Sequence, residues 1–259
     1  MAGPAMPTAE AAIEAWTAAL SRSAVYALLG RGLAYPTRAR VGALVETAAP
    51  VLRELETGDA SVRRSLTAAL DALTGTDVAG LQRAHLRLFS HVVTPDCPVY
   101  ETAYLTPDVF RQGHTMADVA GFYRAHGVQV GGPERERPDH IGAELEFMGL
   151  LARQEAEALA SGADEAVEAC RRTQALFLRD HLGCWAPGLG RRIARLATTP
   201  LYRALGALLD AWVVGEMRRL EVEPSRTLDE PQPLPPMEDD ECGAPEAGGP
   251  VVVDLDSIR

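Results

Sequence analysis

Between residues 139 and 160 apolar side chains return at the spacing of one helix face. Ile141, Leu145, Met148 and Ala152 form the stripe, Phe147 and Leu151 widen it, and Glu146, Arg153, Glu155 and Glu157 fall mostly off it. Pro138 disfavours helix at Arg137. Asp139 then reads as the N-cap, its carboxylate accepting from the first-turn N–H groups, and Ser161-Gly162 reads as the stop. No long run elsewhere alternates apolar and polar residues as a half-buried strand would. Apolar residues make up 47% of the chain but aromatics only 5%, so the core must be mostly Ala, Leu and Val. Ala and Leu favour helix. The expected fold is all-α, a compact helical domain.

The punctuation divides that domain. Residues 1–8 read as disordered, and helices are expected over 9–34, 37–56 with Pro50 inside, 61–73 and 78–90. Residues 91–108 hold three prolines and read as a long loop. A helical region then starts at Pro107, with Gly113 interrupting it and Gly127 closing it. Residues 127–138, with Gly131-Gly132-Pro133, read as a hinge between two helical halves, 9–126 and 139–223. The second half is expected to continue with helices over 164–182, 189–197 and 200–222, a turn over 183–188 separating the first two. Residues 224–259 carry seven prolines, nine acids and two arginines, the signature of an acidic, Pro-rich tail, yet they include the apolar run VVVDLDSI.

Charge narrows the partners. The formal net charge is −11, which argues against nucleic acid and suits a basic partner. The four cysteines form no CxxC pair, so neither a zinc site nor a disulfide framework is suggested. The N-terminus carries acids where a secretory signal would be basic, and no apolar run is long enough to span a bilayer. The expected location is the cytoplasm.

Asp139, His140 and Glu144 are the unusual residues of the central helix. His140 and Glu144 are four apart and would share one face, beside the positive end of the helix where Asp139 sits. The plain reading is a capped helix with a solvated His and Glu; the functional one is a carboxylate–imidazole–carboxylate cluster beside a flexible loop.

The wording of several stretches adds to this. PDHIGAELEFM, YALLGRGLAYP, PVYETAYL, ADVAGFYRAHG and FLRDHLGCWAPG together resemble the TorD/DmsD/NarJ family of redox enzyme maturation chaperones, over roughly residues 20–220. The wording is most similar to chaperones of type II DMSO reductase family enzymes, whose clients include selenate, chlorate and dimethylsulfide-oxidising enzymes and ethylbenzene dehydrogenase. The resemblance implies a cytoplasmic, non-enzymatic chaperone. It would bind the twin-arginine signal peptide or the apo catalytic subunit of a molybdenum-cofactor oxidoreductase and assist cofactor insertion before export. It implies no tightly bound cofactor, only transient contact with the client's molybdenum cofactor, and a monomer or domain-swapped dimer. Binding residues implied are Pro138, Asp139, His140 and Glu144, with Tyr100 and Glu101 of the PYE-like element, and Tyr26 and Phe89 as groove-lining aromatics. Glu101 reads equally well as an anchor for loop backbone. The alternatives are a helical interaction scaffold without peptide specificity, or a metal-dependent hydrolase using His140 and Glu144, for which a third ligand has no matching spacing.

Overall fold

Helix α1 (Ala9–Leu33) packs along α7 (Ile141–Ser161), although the two belong to opposite halves of the chain. Small residues let them approach: Gly30 faces the Gly142 carbonyl, and the Ser23 hydroxyl donates to the Gly149 carbonyl at 2.8 Å. The stripe expected of α7 is buried, with Ile141, Leu145, Met148 and Leu151 against Tyr26, Leu29 and Leu33 in one core. The structure, a computed structural model, describes residues 8–54, 59–73, 77–89, 96–131 and 136–233. Among these it contains helices and one isolated β-bridge, so the fold is all-α.

The other helices begin where local chemistry satisfies their free N–H groups. Thr37 Oγ1 accepts from Arg40 N–H at the start of α2 (Arg38–Glu54), and Asp59 does the same for α3 (Ala60–Leu73). Asp77 opens α4 (Val78–Phe89), and Asp108 caps α6 (Val109–Ala125) after the five-residue α5 (Glu101–Leu105). Helix α6 runs unbroken through Gly113, where an interruption was expected.

The larger departure is in the C-terminal half. The expected turn over 183–188 is helix. Helix α8 (Asp164–Phe177) passes through a wide π-turn, Leu178–Leu182, into α9 (Gly183–Leu196), and Pro187 sits inside the last of these. A proline removes one i→i−4 bond, and a π-turn is a common way for a helix to change register. Helix α10 (Pro200–Arg219) ends three residues before the expected point and crosses α9 in backbone contact. A Cβ on Gly206 would lie 2.6 Å from the Gly190 carbonyl oxygen, so the crossing requires glycine there.

A buried ionic network ties four helices. Arg22 (α1) pairs with Glu155 (α7), which also accepts from Arg171 at 2.8 Å and Gln174 at 2.9 Å on α8. Arg219 pairs with Glu216 on α10 at 2.9 Å and donates to Gln174 at 2.9 Å. The sequence-expected tail does not leave the body at residue 224. Residues 224–233 lie along it as an extended strap: the Ser225, Leu228 and Gln232 N–H groups donate to the carbonyls of Arg179, Cys184 and Ala103. The run VVVDLDSI, the hinge residues 132–135 and most of the loop's first half (91–95) lie outside the described residues.

Candidate functional site

The segment before α5 and the segment before α7 pair with each other. Tyr100 and His140 form an antiparallel bridge; Glu101 N–H donates to the Asp139 carbonyl and Ile141 N–H to the Val99 carbonyl, each at 2.9 Å. Two stretches singled out separately in the sequence, PVYET and PDHI, are thus one structural unit.

Asp139 holds the unit together from within. Its side chain is fully buried, and both oxygens are taken. Arg137 donates through Nε to Oδ1 at 2.9 Å and through Nη2 to Oδ2 at 2.8 Å, while the Thr102 hydroxyl and N–H reach Oδ2 at 2.8 and 3.2 Å. The Arg137 guanidinium also lies over the Tyr100 ring, 4.6 Å from its centroid. Bidentate pairs of this kind fix geometry as well as energy. The N-cap of α7 is therefore not Asp139, as expected, but His140, whose Nδ1 accepts from Gly142 N–H at 3.0 Å. As a cap, His140 has extended backbone and does not share a helix face with Glu144.

Glu144 points inward. It is fully buried, its Oε2 accepts from Trp185 Nε1 at 3.1 Å, and its Oε1 has no partner. Burial, then the charge of Glu101, hold its carboxyl well above the ordinary range. Glu101 is also fully buried, 3.1 Å from His181 Nδ1, and burial raises its pKa against the opposing pull of His181. The Glu101 carboxylate meets the His181 side chain in the core, which is neither of the two partners expected of it. Neither Tyr26 nor Phe89 joins the unit. Tyr26 is buried edge-on to Trp212, 3.4 Å from Glu216, and Phe89 is buried between His85 and Tyr202. Sequence reasoning missed Arg137, Thr102, His181 and Trp185. The last two carried a signal: they are four apart in FLRDHLGCWAPG, as residues sharing a helix face are.

The open surface lies on the other side of Pro138. Tyr123 donates to the Pro138 carbonyl at 2.8 Å, joining the end of α6 to the bridge. Residues 128–131 run over Tyr123 and separate two adjoining clefts. One, about 630 Å³, is walled by Ala120, Arg124, Glu136 and Pro138; the other, about 300 Å³, by Ala143, Glu146, Phe147 and Leu150. Val128 and Val130 pack on the core between them, while Glu136 and Glu146 stand exposed at the rims. Among the described residues no three His, Cys, Asp or Glu side chains are grouped to hold a metal ion, and His140 and Glu144 are committed to different partners.

The family model for the nitrate reductase delta subunit matches residues 53–190, over half of the chain. The chain belongs to this family, the NarJ/TorD type. The matched span contains α3 to α8, the Tyr100–His140 bridge and both clefts. Family members similar to this chain include a selenate reductase assembly chaperone protein from Thauera selenatis, 36% identical over 44% of this chain and 56% of the relative. A chlorate reductase assembly chaperone protein from Ideonella dechloratans is 35% identical over 49% of this chain and 59% of its own length. A perchlorate reductase assembly chaperone protein from Dechloromonas aromatica is 24% identical over 83% and 96%. The chain thus spans a little over half the length of the first two relatives. No helix among the described residues is long and apolar enough to cross a membrane.

Proposed function

We propose that this protein is a maturation chaperone that binds the twin-arginine leader of a molybdenum-cofactor oxidoreductase subunit, of the type II DMSO reductase family, and holds the apo subunit during cofactor insertion. Family membership supports the chaperone role, since the relatives similar to it are named for reductase assembly. The observation that carries the leader reading is the pair of clefts around residues 128–131, with apolar side chains at their floor and Glu136 and Glu146 at their rims, opposed at the larger cleft by the cation Arg124. A twin-arginine leader offers two cations followed by an apolar stretch. Val128, Val130 and Leu150, lying over the buried rings of Tyr123 and Phe147, supply a surface for the stretch, and Glu136 and Glu146 supply charge for the arginines. Apolar burial of a Leu-sized side chain contributes about 1.5–3 kcal/mol before ordering costs, while the rim charges mainly select and steer.

In this reading Asp139, Glu101 and Glu144 do not touch the leader. They hold the bridge that fixes Pro138 and Glu136 at the cleft wall, and His140 and Tyr100 form its outer, half-buried face. The chain performs no chemistry of its own; a transient contact with the client's cofactor would occur on the client. Hydrogen exchange on the full chain, with and without a synthetic leader peptide, tests the assignment. Protection is expected at residues 128–131 and at the C-terminal turn of α6. Protection confined to other surfaces, or none at saturating peptide, would overturn it.

A further inference from the structure

The strap of residues 224–233 rests on α9 in the way a bound peptide rests on a receptor. Three of its contacts are made through its own backbone. Ser225 N–H donates to the Arg179 carbonyl at 2.7 Å, at the π-turn; Leu228 N–H donates to the Cys184 carbonyl at 2.8 Å. Gln232 reads the end of α5 twice, N–H to the Ala103 carbonyl at 2.8 Å and Nε2 to the Tyr104 carbonyl at 3.2 Å. The three backbone contacts do not depend on the bound sequence; the Gln232 side-chain amide does. Gly188 is what lets the strap lie so close: a Cβ there would sit 2.5 Å from the Leu228 carbonyl oxygen and 2.7 Å from Asp229 Cα.

Side chains add a charge pattern. Asp229 pairs with Arg191; Glu230 pairs with Arg192 and, at 3.0 Å, with Arg195. Arg191, Arg195, Asp229 and Glu230 are largely exposed to solvent, where ion pairs are weak and screened by salt. Leu228 is the one strap side chain packed against the core. The strap also leaves something unsatisfied beneath it. The Tyr104 hydroxyl is buried without a hydrogen-bond partner, within the electrostatic reach of Arg192 and Glu230.

We propose that α9 and the end of α5 form a second peptide site, filled by the strap in this chain and open to an extended acidic segment of a protein partner, an apolar residue followed by two carboxylates, when the strap leaves. The three arginines select the acids, Gly188 admits the partner's backbone, and the exposed carbonyls take its N–H groups. The site lies on α9, not on the α6–α7 clefts, and does not depend on what those clefts bind. It favours the opposite charge to a twin-arginine leader.

The test uses the full-length chain and a fluorescent peptide PSRTLDEPQP, the strap's own sequence. In the parent protein the amides of Ser225, Leu228 and Gln232 are protected from exchange and the peptide does not bind. Reversing the strap's charges, Asp229→Arg with Glu230→Arg, frees those amides and lets the peptide bind, with affinity falling as salt is added. Adding Gly188→Ala weakens that binding about tenfold or more, and Arg195→Ala, used should the first variant fold poorly, weakens it about two- to fivefold. The proposal is overturned if the freed chain ignores the peptide, if neither added substitution weakens binding, or if the strap stays protected after charge reversal.

Discussion

Trp185 donates its indole N–H to Glu144 across 3.1 Å of protein interior, and the second oxygen of that carboxyl meets nothing. A fully buried carboxyl in this setting is held in its neutral form, by burial first and by the charge of Glu101 second. The sign of the consequence is fixed. The folded state keeps the proton at pH values where the unfolded chain has lost it, so this group's contribution is fully present below the unfolded pKa and is lost as pH rises toward the raised folded value. Glu144→Gln removes the titration and keeps the size. Its melting temperature relative to the parent is expected to climb as pH is raised from about 5 to about 8. A difference that stays constant with pH would show that Glu144 is ionised in the fold.

Asp139 is buried as well, but both of its oxygens have partners. Asp139→Asn loses the charge that faces Arg137 while Thr102 stays in place. Charged hydrogen bonds of this kind contribute on the order of 1.5–3 kcal/mol, so the variant is expected to melt lower than the parent. A chemical denaturation midpoint equal to the parent's would show that the buried clamp is dispensable. Viewed as a helix cap alone, the same substitution would be silent.

Arg22 is the hub of the second network. Arg22→Met leaves Glu155 without its α1 partner and removes the charge beside Glu216, in a place where neither carboxylate reaches water. Breaking a buried pair typically costs about 3–5 kcal/mol. Urea unfolding should report a loss of that order. A loss below about 1 kcal/mol would mean that Arg171 and Arg219 carry the network unaided.

The strap gives a stability prediction independent of what binds beneath it. A chain ending at residue 233 should melt like the full chain. One ending at 223 should melt lower, since it uncovers Leu228's packing site and the Arg179, Cys184 and Ala103 carbonyls. Equal melting of both truncations would show that the strap adds nothing to the body.

Helix identity was readable from the sequence because apolar stripes and caps act locally: Thr37 and Asp77 begin the helices expected after them, while α6 begins on Asp108 rather than on Pro107. Helix continuity was not, where distant groups decide it. Gly183 and Pro187 read as a turn, but a π-turn precedes them and the strap, some forty residues on, covers the Cys184 carbonyl. The site shows the same division. Pro138, Asp139, His140, Tyr100 and Glu101 were found as words in the chain and do meet. That Asp139 faces inward to Arg137 and Thr102, passing the cap to His140, depends on a bridge between segments about forty residues apart, which no local pattern encodes. Tyr26 and Phe89 were assigned to a groove; both sit in the core, filled by Trp212, His85 and Tyr202.

The leader-binding claim is tested most directly by calorimetric titration of the full chain with two forms of one leader peptide, native and with both arginines changed to Gln. The native leader should bind, more weakly as salt is added but still measurably at high salt, because only the rim contacts are screened. The Gln form should bind about tenfold or more weakly, and Val130→Asp at the cleft floor should weaken both. Equal affinity for the two leaders, untouched by Val130→Asp, would contradict the account.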